Sequence, residues 1–309
     1  MFSNELIKNK DILISVIMPC YNHETYVISA LESVAASDYN AIEFIFIDDA
    51  SKDNSFNLAT KWFEKNKKRF VRVVCIQHEN NCGICHTLNE LCTLAQGEFI
   101  SPLASDDQLL PTGLSIQLKY ALVHKVDFIF SDYRLINESG ELIAESAFRY
   151  FGRDIFKLKK NQMCLCVDLI FNWSPPWNKH FFSANLLKRI GMFDESLTYE
   201  DRDFIIRVLI DGSFALLSDS TANYRIRLSN RLTPGLEIDG LMDDFHKSDR
   251  KNYLAASGIV RFFLAFMVYS FSEKYHEIGI RNTKLIWLAT SLCKLVKRLI
   301  VKTHMVLVK

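Results

Sequence analysis

The 309-residue sequence contains little of what marks several whole classes of protein. Eleven glycines and six prolines are too few for a collagen-like or low-complexity chain, and 49% hydrophobic residues exclude general disorder. The sequence also lacks an excess of charge of either sign, because 37 Lys and Arg residues balance 36 Asp and Glu residues. The net charge of +1 provides no general attraction to polyanions, so we expect no nucleic-acid partner.

Cysteines are also few, and they are spread along the chain too sparsely for a disulfide scaffold. Residues 1–8 are charged and lack the apolar run and cleavage site of a signal peptide, so we expect a reducing, cytoplasmic setting. Cys82-Gly-Ile-Cys85, with His78 and His86 nearby, has part of a zinc-site spacing. No second pair completes four ligands, which favours inert thiols.

Glycine-rich phosphate-binding loops are absent. No Gly-x-Gly-x-x-Gly follows the first apolar run, and no Gly-x-x-x-x-Gly-Lys-Ser/Thr occurs in the sequence. A phosphate-bearing ligand would therefore need another neutralising group, and a metal ion held by carboxylates is the obvious one.

What the sequence does contain, from residue 12 onward, is an alternation of short apolar runs with segments of helical period. This alternation predicts an α/β fold with a mostly parallel sheet flanked by helices. The carboxyl ends of such strands lie along one edge, where ligands bind in open α/β sheets. The predicted strands are 14–18, 43–47, 72–77, 98–103 and 127–131, and helices are predicted from about 53 and over 84–95.

The alternation weakens after residue 138, and residues 173–178 predict irregular structure rich in aromatic rings. A helix is predicted over 185–190, and helical period resumes from Asp203. We place the end of the main domain near residue 235, which leaves a C-terminal helical segment over 236–309.

Polar clusters stand at three of the predicted strand ends. Asp106-Asp107 could hold one hard divalent cation, although an isolated acidic pair is also typical of a solvated turn. Asp48-Asp49 could accept a hydrogen bond from a base or a ribose, although Asp is also an ordinary residue at a helix start. Tyr21, after the first strand, could supply a stacking face for a base.

Glu200-Asp201 is the acidic pair of the second half. One interpretation is a general base that takes a proton from an acceptor hydroxyl. The other is the acidic first turn that the helix dipole favours.

Taken together in order, these motifs resemble the family 2 inverting glycosyltransferases of GT-A fold. The resemblance covers residues 12–230. It is carried by Ile14-Ser-Val-Ile-Met-Pro-Cys-Tyr-Asn-His, Ile47-Asp-Asp-Ala-Ser-Lys-Asp, Gly97-Glu-Phe-Ile, Ser105-Asp-Asp, and Gly191-Met-Phe-Asp-Glu followed by Glu200-Asp201.

The resemblance implies a Rossmann-like sugar-nucleotide half over 12–110 and an acceptor half over 111–235. Pro19 and Tyr21 would then line the nucleoside pocket, and Asp49 would contact the base.

By the same resemblance, Asp107 would ligate a Mn²⁺ or Mg²⁺ ion that bridges the donor diphosphate, and Asp106 would touch the ribose or the metal. Asp201 would be the general base for a single displacement that inverts the anomeric configuration.

Three positions depart from the family pattern. Ala104 stands where many members have an Asp, and Leu88 stands where an Arg often precedes the helix Asn. Arg227 replaces a late His that serves some members as a metal ligand, which makes Arg227 a candidate phosphate contact. Lys179 and Arg225 are candidates to replace the missing Arg at position 88.

The C-terminal segment carries a basic amphipathic pattern. Neither 259–271 nor 285–301 reaches the roughly 20 apolar residues that span a bilayer. Residues 273–309 hold eight basic and two acidic side chains, a local charge of +6. This pattern predicts helices that lie on an anionic membrane surface, with packing against the catalytic domain or a second copy of the chain as the alternative.

The sequence therefore predicts a metal-dependent glycosyltransferase that is cytoplasmic and peripheral on the inner face of the cell membrane. Its expected partners are a nucleotide-sugar donor, with UDP favoured, and a glycan or polyprenyl-linked acceptor of O-antigen or capsule synthesis. A nucleotidyltransferase is disfavoured, because it would need an opening Gly-x-Gly-Thr-Arg loop that this chain lacks. The alternative is a non-catalytic sugar-nucleotide or glycan-binding protein of the same fold.

Overall fold

The structure is a computed structural model that describes residues 12–171, 180–227 and 237–270. In chain order, these residues form β1 (Ile14–Cys20), α1 (Val27–Ala35), β2 (Ile42–Asp48), α2 (Ser55–Asn66), a 3-10 turn (Lys67–Arg69), β3 (Arg72–Gln77), α3 (Ile84–Leu94), β4 (Phe99–Pro102), β5 (Gln108–Leu109), α4 (Gly113–His124), β6 (Phe128–Ile136), β7 (Leu142–Ala144), α5 (Ala147–Tyr150), α6 (Ile155–Lys160), α7 (Gln162–Phe171), β8 (His180–Ser183), α8 (Ala184–Ile190), α9 (Asp201–Asp211), β9 (Phe214–Arg225), α10 (Glu237–Ala255) and α11 (Gly258–Ser270).

One mixed sheet contains all nine strands of the described residues, in the order β3-β2-β1-β4-β8-β6-β9-β5, with β7 paired to β6. Strands β3, β2, β1 and β4 are parallel, as are β6 and β9. The four-residue strand β8 lies between these two parts and runs antiparallel to both β4 and β6. The predicted α/β fold class is confirmed, and the parallel arrangement is concentrated in the first half of the chain.

Both faces of the sheet are buried under helices, which explains the continuous apolar runs of the first strands. In β1, Val16 and Met18 pack into the core under α1, α2 and α4, whereas Ile17 packs into the core under α3 and α7 to α9. One face of α1 is fully buried in the core that contains Val16 and Met18. This face consists of Val27, Ala30, Leu31 and Val34.

Gly97 allows the chain to enter β4 against β1. A Cβ atom at this position would lie 2.6 Å from the backbone nitrogen of Ser15 and 2.8 Å from the carbonyl oxygen of Leu13. The close approach of the two backbones therefore requires glycine at this position.

The C-terminal helix α10 is held to α9 by buried polar contacts. The Arg202 guanidinium donates to both carboxylate oxygens of Asp249, at 2.8 and 2.9 Å from Nη2. The amide of Asn252 donates to Asp203, and Lys251 lies 2.8 Å from the same carboxylate. No helix of the described residues is both long enough and apolar enough to cross a membrane.

The bounds predicted for strands and helices over residues 14–103 lie within two residues of the observed bounds. Strand β6 begins within one residue of the prediction but ends at Ile136 rather than 131, because it continues to pair with β9, and β5 and α4 are not among the predicted elements. Helix α9 begins at Asp201, earlier than the predicted Asp203, because Asp201 itself enters the first turn and Glu200 is the N-cap residue. Within 142–171, one short strand and three helices replace the weak pattern expected after residue 138. The boundary near 235, the aromatic stretch 173–178 and the basic segment 271–309 lie outside the described residues.

Candidate active site

The loops that follow β1 and β2 are joined to each other by hydrogen bonds. The backbone N–H of Asp49 donates to the carbonyl of Cys20 over 2.8 Å, and the N–H of Asn22 donates to Ser51 Oγ over 2.8 Å. Asn22 and Ala50 have φ values of 55° and 60°, so both loops turn sharply through the left-handed region. These turns place the residues after the two strands at the same edge of the sheet.

A cavity of about 550 Å³ opens at this edge. Pro19, Tyr21 and Asp49 all line it, which brings together the three residues expected to contact the nucleoside. Tyr21 is 42% exposed, so the face of its ring is available to a ligand. Asp48 is fully buried, whereas Asp49 faces the cavity and accepts backbone N–H groups from Cys82 at 2.7 Å and Gly83 at 2.9 Å.

A second cavity of about 250 Å³ adjoins the first and shares three lining residues with it, namely Pro19, Ile84 and Ala104. Asp106, Asp107 and Asp201 line this smaller cavity. The structure therefore brings the proposed metal ligands and the proposed general base to one place, although Asp201 is about a hundred positions away in the sequence.

Asp106 and Asp107 follow β4 and are held by two arginines from the end of β9 and the residues after it. Asp107 Oδ1 accepts the backbone N–H of Arg225 at 2.8 Å, and the Arg225 side chain donates to the carbonyl of Asp106. Arg227 Nη2 lies 3.0 Å from Asp106 Oδ2. Both guanidinium groups lie over the ring of Tyr26, at 4.8 and 5.5 Å from its centre.

The donor atoms of this pair fit a hard divalent cation. Carboxylate oxygens are the ligands that Mg²⁺ and Mn²⁺ prefer, and both carboxylates line the same cavity. Ala104 lines the cavity without a donor atom, so these two side chains are the acidic residues that β4 supplies.

Glu200 and Asp201 stand at the start of α9 and also line the smaller cavity. Both residues keep part of their surface exposed there, while the surrounding protein desolvates their carboxyl groups. Burial, and then the negative charge of Asp201, raise the pKa of Glu200 to about 8. Burial also raises the pKa of Asp201. The pair therefore binds a proton more readily than isolated carboxylic acids do, which suits proton transfer.

His23 is a site residue to which the sequence analysis assigns no role. Its Nδ1 lies 2.7 Å from Ser105 Oγ, and its Nε2 lies 4.0 Å from Asp106 Oδ2. Burial, and then the nearby Arg227 guanidinium, lower the pKa of His23 to about 4. His23 is therefore neutral at physiological pH, and its place at the end of the Pro-Cys-Tyr-Asn-His motif is the sequence signal that could have identified it.

Asn89 fixes the loop that connects the two halves of the site. Its amide donates to the carbonyl of Phe193 at 2.9 Å and accepts the Phe193 N–H at 2.8 Å. Leu88, where the family pattern often has Arg, is buried and lines the smaller cavity. Of the two candidates to replace that Arg, Arg225 is committed to backbone carbonyls, and Lys179 lies outside the described residues.

Comparison with known proteins identifies a family. The family model "Glycosyl transferase family 2" matches residues 15–172, which is half of the chain. Over 214 residues, the chain is 31% identical to a putative colanic acid biosynthesis glycosyl transferase, WcaA, of Escherichia coli K12, covering 64% of this chain and 67% of that protein. It is also 31% identical over 121 residues to the Escherichia coli UDP-Glc:α-D-GlcNAc-diphosphoundecaprenol β-1,3-glucosyltransferase WfaP, covering 39% of this chain and 46% of that protein.

Two solved structures share the fold. The chain superposes on TarS 1–349 of S. aureus in complex with UDP-GlcNAc with a TM-score of 0.62 at 20% identity, covering 85% of this chain and 73% of that chain. A mannosyltransferase of Pyrobaculum calidifontis, in complex with GDP-Man and Mn²⁺, gives a TM-score of 0.54 at 15% identity. The superposition covers 97% of this chain and 84% of that chain. The chain spans 55% and 31% of the lengths of two rickettsial relatives that it matches.

Proposed function

This chain belongs to glycosyl transferase family 2, and on that premise we propose that it transfers a sugar from a nucleoside-diphosphate donor to a hydroxyl group, with inversion and with a divalent cation. The observation that carries the proposal is the convergence of Asp106, Asp107 and Asp201 on one cavity. That cavity adjoins a larger one in which Tyr21 and Asp49 can receive a nucleoside.

The donor would lie across both cavities, with its base beside Asp49 and Tyr21 and its diphosphate beside Asp106 and Asp107. Asp49 Oδ2 accepts the N–H of Gly83 and has a second lone pair for the imide N–H of uracil, and this chemistry favours a UDP-sugar. Two named proteins support the same class of donor, since TarS is solved with UDP-GlcNAc and WfaP uses UDP-Glc.

Asp201 would remove the proton from the acceptor hydroxyl as its oxygen attacks the anomeric carbon. The acceptor and the departing diphosphate lie on opposite faces of the sugar ring, so one displacement inverts the anomeric centre. Glu200, which binds a proton more readily than an ordinary carboxylic acid, would keep a second negative charge away from the base at neutral pH. A bound Mn²⁺ or Mg²⁺, held by Asp107 and Asp106, would stabilise negative charge on the leaving diphosphate. The Mn²⁺ in the Pyrobaculum calidifontis structure supports this choice of metal.

The acceptor we propose is a glycan carried on a polyprenyl lipid, within surface-polysaccharide synthesis of the O-antigen or capsule type. WfaP acts on a diphosphoundecaprenol-linked sugar, and WcaA is named for colanic acid biosynthesis. We further propose that the C-terminal helices hold the protein on the inner face of the cell membrane. Ile259 and Phe262 of α11 are 44% and 54% exposed, and the following residues 273–309 carry a charge of +6.

The experiment that tests the function is ligand-induced thermal stabilisation of the full chain. UDP, GDP, dTDP, CMP and ADP are compared with and without Mn²⁺, for the wild type and for Asp107→Asn. A ligand present at about 100 times its dissociation constant raises the free energy of unfolding by about 2.7 kcal/mol. We expect stabilisation by UDP that requires both Mn²⁺ and Asp107. No shift with any nucleotide would contradict the proposed function.

A transfer assay separates the enzyme from the alternative, a non-catalytic sugar-nucleotide or glycan-binding protein. Release of UDP from UDP-Glc or UDP-GlcNAc is followed with a diphosphoundecaprenol-linked sugar as acceptor. Transfer that disappears in Asp201→Asn supports the enzyme. Binding without transfer, unchanged in Asp201→Asn, supports the alternative.

Vesicle sedimentation tests the membrane association. The wild-type chain is expected to pellet with vesicles that contain anionic lipid and to remain in the supernatant with neutral vesicles. Phe262→Gln, which removes an exposed aromatic side chain, is expected to reduce the pelleted fraction. The matched control is Val123→Gln, because Val123 of α4 is 66% exposed and lies far from the C-terminal segment in the sequence.

A further inference from the structure

Asp49, His78 and Cys82 form a cluster of metal-ligating side chains, of which Asp49 and Cys82 line the larger cavity and none lines the smaller cavity of the proposed transfer. An oxygen of Asp49, Nδ1 of His78 or its Nε2, and Sγ of Cys82 all lie within 4.8 Å of one another. We propose that these three residues form a site for Zn²⁺, distinct from the hard-cation site at Asp106 and Asp107.

The donor atoms decide which metal this cluster would take. Thiolate, imidazole and carboxylate are all zinc ligands, whereas Mg²⁺ prefers a set made of oxygen alone. Zinc bonds of about 2.0–2.3 Å place tetrahedral ligand atoms about 3.3–3.8 Å apart. The three atoms here lie within 4.8 Å of one another, so small side-chain rotations would bring all three to bonding distance of one ion.

His78 already has the second contact that zinc-binding histidines need. One ring nitrogen, Nδ1, lies 2.8 Å from Asp49 Oδ1, and the other, Nε2, lies 2.9 Å from Glu90 Oε2. A metal-bound histidine typically donates its remaining N–H to a carboxylate, which fixes the ring and strengthens the ligand. Glu90 is in the position to accept that N–H.

Cys82 differs from its neighbouring cysteines. Burial raises the pKa of Cys20, Cys85 and Cys92 to about 12, so these thiols are inert at neutral pH. The Cys82 side chain, in contrast, is exposed, and its thiol donates to the carbonyl of Asn80 over 3.3 Å. A metal ion in the larger cavity can therefore reach its sulfur.

Metal binding at this site must release protons. The Cys82 thiol loses its proton when the sulfur ligates, and His78 gives up the proton that it shares with Asp49. Zinc affinity is therefore expected to increase with pH.

Three protein ligands leave one coordination position open toward the larger cavity. Because Asp49 is also the proposed contact of the base, zinc and the nucleotide would exclude each other. This consequence rests on the proposed function, whereas the metal site itself does not. The site would make donor binding sensitive to free Zn²⁺.

Cobalt titration of the full chain tests the site, with Mg²⁺ in excess to occupy the hard-cation site. Co²⁺ replaces Zn²⁺ at thiolate sites, and sulfur-to-cobalt charge transfer absorbs in the near ultraviolet. We expect one equivalent of Co²⁺ to produce this absorption and one equivalent of Zn²⁺ to remove it. Cys82→Ser should abolish the absorption, and Glu90→Gln should weaken Co²⁺ binding about 10- to 100-fold.

Cys164→Ser is the matched control, because Cys164 lies on α7 and is partly exposed. Its absorption should equal that of the wild type. Cys82 is exposed, so Cys82→Ser is expected to fold, and its melting temperature confirms this independently. Absence of the absorption in the wild type, or its persistence in Cys82→Ser, would overturn the proposed site.

Competition with UDP is measured on the same samples. Weaker apparent Co²⁺ binding in the presence of UDP supports both the metal site and the place of the base. If the absorption is present and UDP binds without weakening Co²⁺ binding, the prediction that the metal and the base exclude each other is wrong. If the absorption is present and UDP does not bind even the cobalt-free chain, the metal site stands and the proposed function fails.

Discussion

Asp107 Oδ1 accepts the backbone N–H of Arg225 at 2.8 Å, across 118 positions of the chain. This hydrogen bond joins the loop after β4 to the end of β9. It fixes one carboxylate oxygen of the proposed metal ligand before any cation binds. Two segments that are distant in the sequence are therefore connected at the residue on which the proposed chemistry depends most.

Two substitutions at Asp107 separate its charge from this structural contact. Asp107→Asn keeps an oxygen for the Arg225 N–H but removes the negative charge, so we expect near wild-type stability and a loss of Mn²⁺-dependent UDP binding. Transfer should fall by at least about a hundredfold, because a bound cation contributes several kcal/mol to the transition state.

Asp107→Ala also leaves the Arg225 N–H without its acceptor, which should lower the free energy of unfolding by about 1–3 kcal/mol. Urea unfolding and UDP titration calorimetry measure the two effects. Metal-dependent UDP binding retained by Asp107→Asn would rule out Asp107 as a ligand.

Asp201→Asn tests the general base. The substitution preserves size and leaves Asp106 and Asp107 in place, so UDP should bind with unchanged affinity. Transfer should fall by about 10²- to 10⁴-fold, the usual contribution of a general base. The rate of a single turnover with saturating donor and acceptor measures this fall. Wild-type turnover in Asp201→Asn would reject the assignment.

The pH dependence follows from the raised pKa values of Glu200 and Asp201. The ordinary pKa of Glu is about 4.5, and the pKa of Glu200 in the folded chain is about 8. Between these two pH values, the folded chain binds more protons at Glu200 than the unfolded chain does. The free energy of unfolding should therefore fall as pH rises through this window. Transfer should increase over the same rise, because the base must be ionised.

Glu200→Gln imitates the protonated side chain and removes this source of pH dependence. The melting temperature of Glu200→Gln, relative to that of the wild type, should increase as pH rises. Transfer at neutral pH should be retained. Thermal melts across a pH series measure the difference, with Glu64→Gln as the control, since Glu64 of α2 is exposed and lies outside the site. A constant difference between Glu200→Gln and the wild type at every pH would contradict the assignment.

The parallel half of the fold could be predicted because its signals are local. Runs such as Ile14–Cys20 are buried on both faces, so they appear as continuous apolar segments bounded by polar turns. The four-residue strand β8 carries no comparable signal. Its place between β4 and β6 depends on pairing with strands that are distant in sequence.

The candidate site, too, could be predicted only in part. Sequence motifs predict four of its residues, and the structure shows which cavity each of them lines: Asp49, Asp106, Asp107 and Asp201. The contacts that hold these residues could not be predicted from the sequence. Arg225 and Arg227 reach the loop of Asp106 and Asp107 only because β9 pairs with β5 and β6.

The buried pair Arg202–Asp249 provides a test of how α10 contributes to stability. Asp249→Ala would leave a guanidinium buried without its counter-charge, so the free energy of unfolding should fall by about 3–5 kcal/mol. Arg202→Met combined with Asp249→Leu should recover most of this loss. The control is Lys247→Ala, whose ion pair with Asp244 is solvent-exposed on the lysine side and should change stability by less than about 1 kcal/mol. Urea unfolding that shows equal stability for Asp249→Ala and Lys247→Ala would mean that the pair does not hold α10 on α9.

Arg227 tests whether an arginine near the acidic loop binds the donor diphosphate. Its guanidinium lies 3.0 Å from Asp106, beside the place where the diphosphate would meet the metal. Arg227→Gln keeps a polar side chain and removes the charge, so UDP affinity should fall about 10- to 100-fold, while uridine affinity stays unchanged. Arg134→Gln is the matched control, because Arg134 forms an ion pair with Glu145 on an exposed surface. Titration calorimetry with UDP and uridine distinguishes a phosphate contact from a general loss of structure. An equal fall for both ligands would show that Arg227 holds the site together rather than binding phosphate.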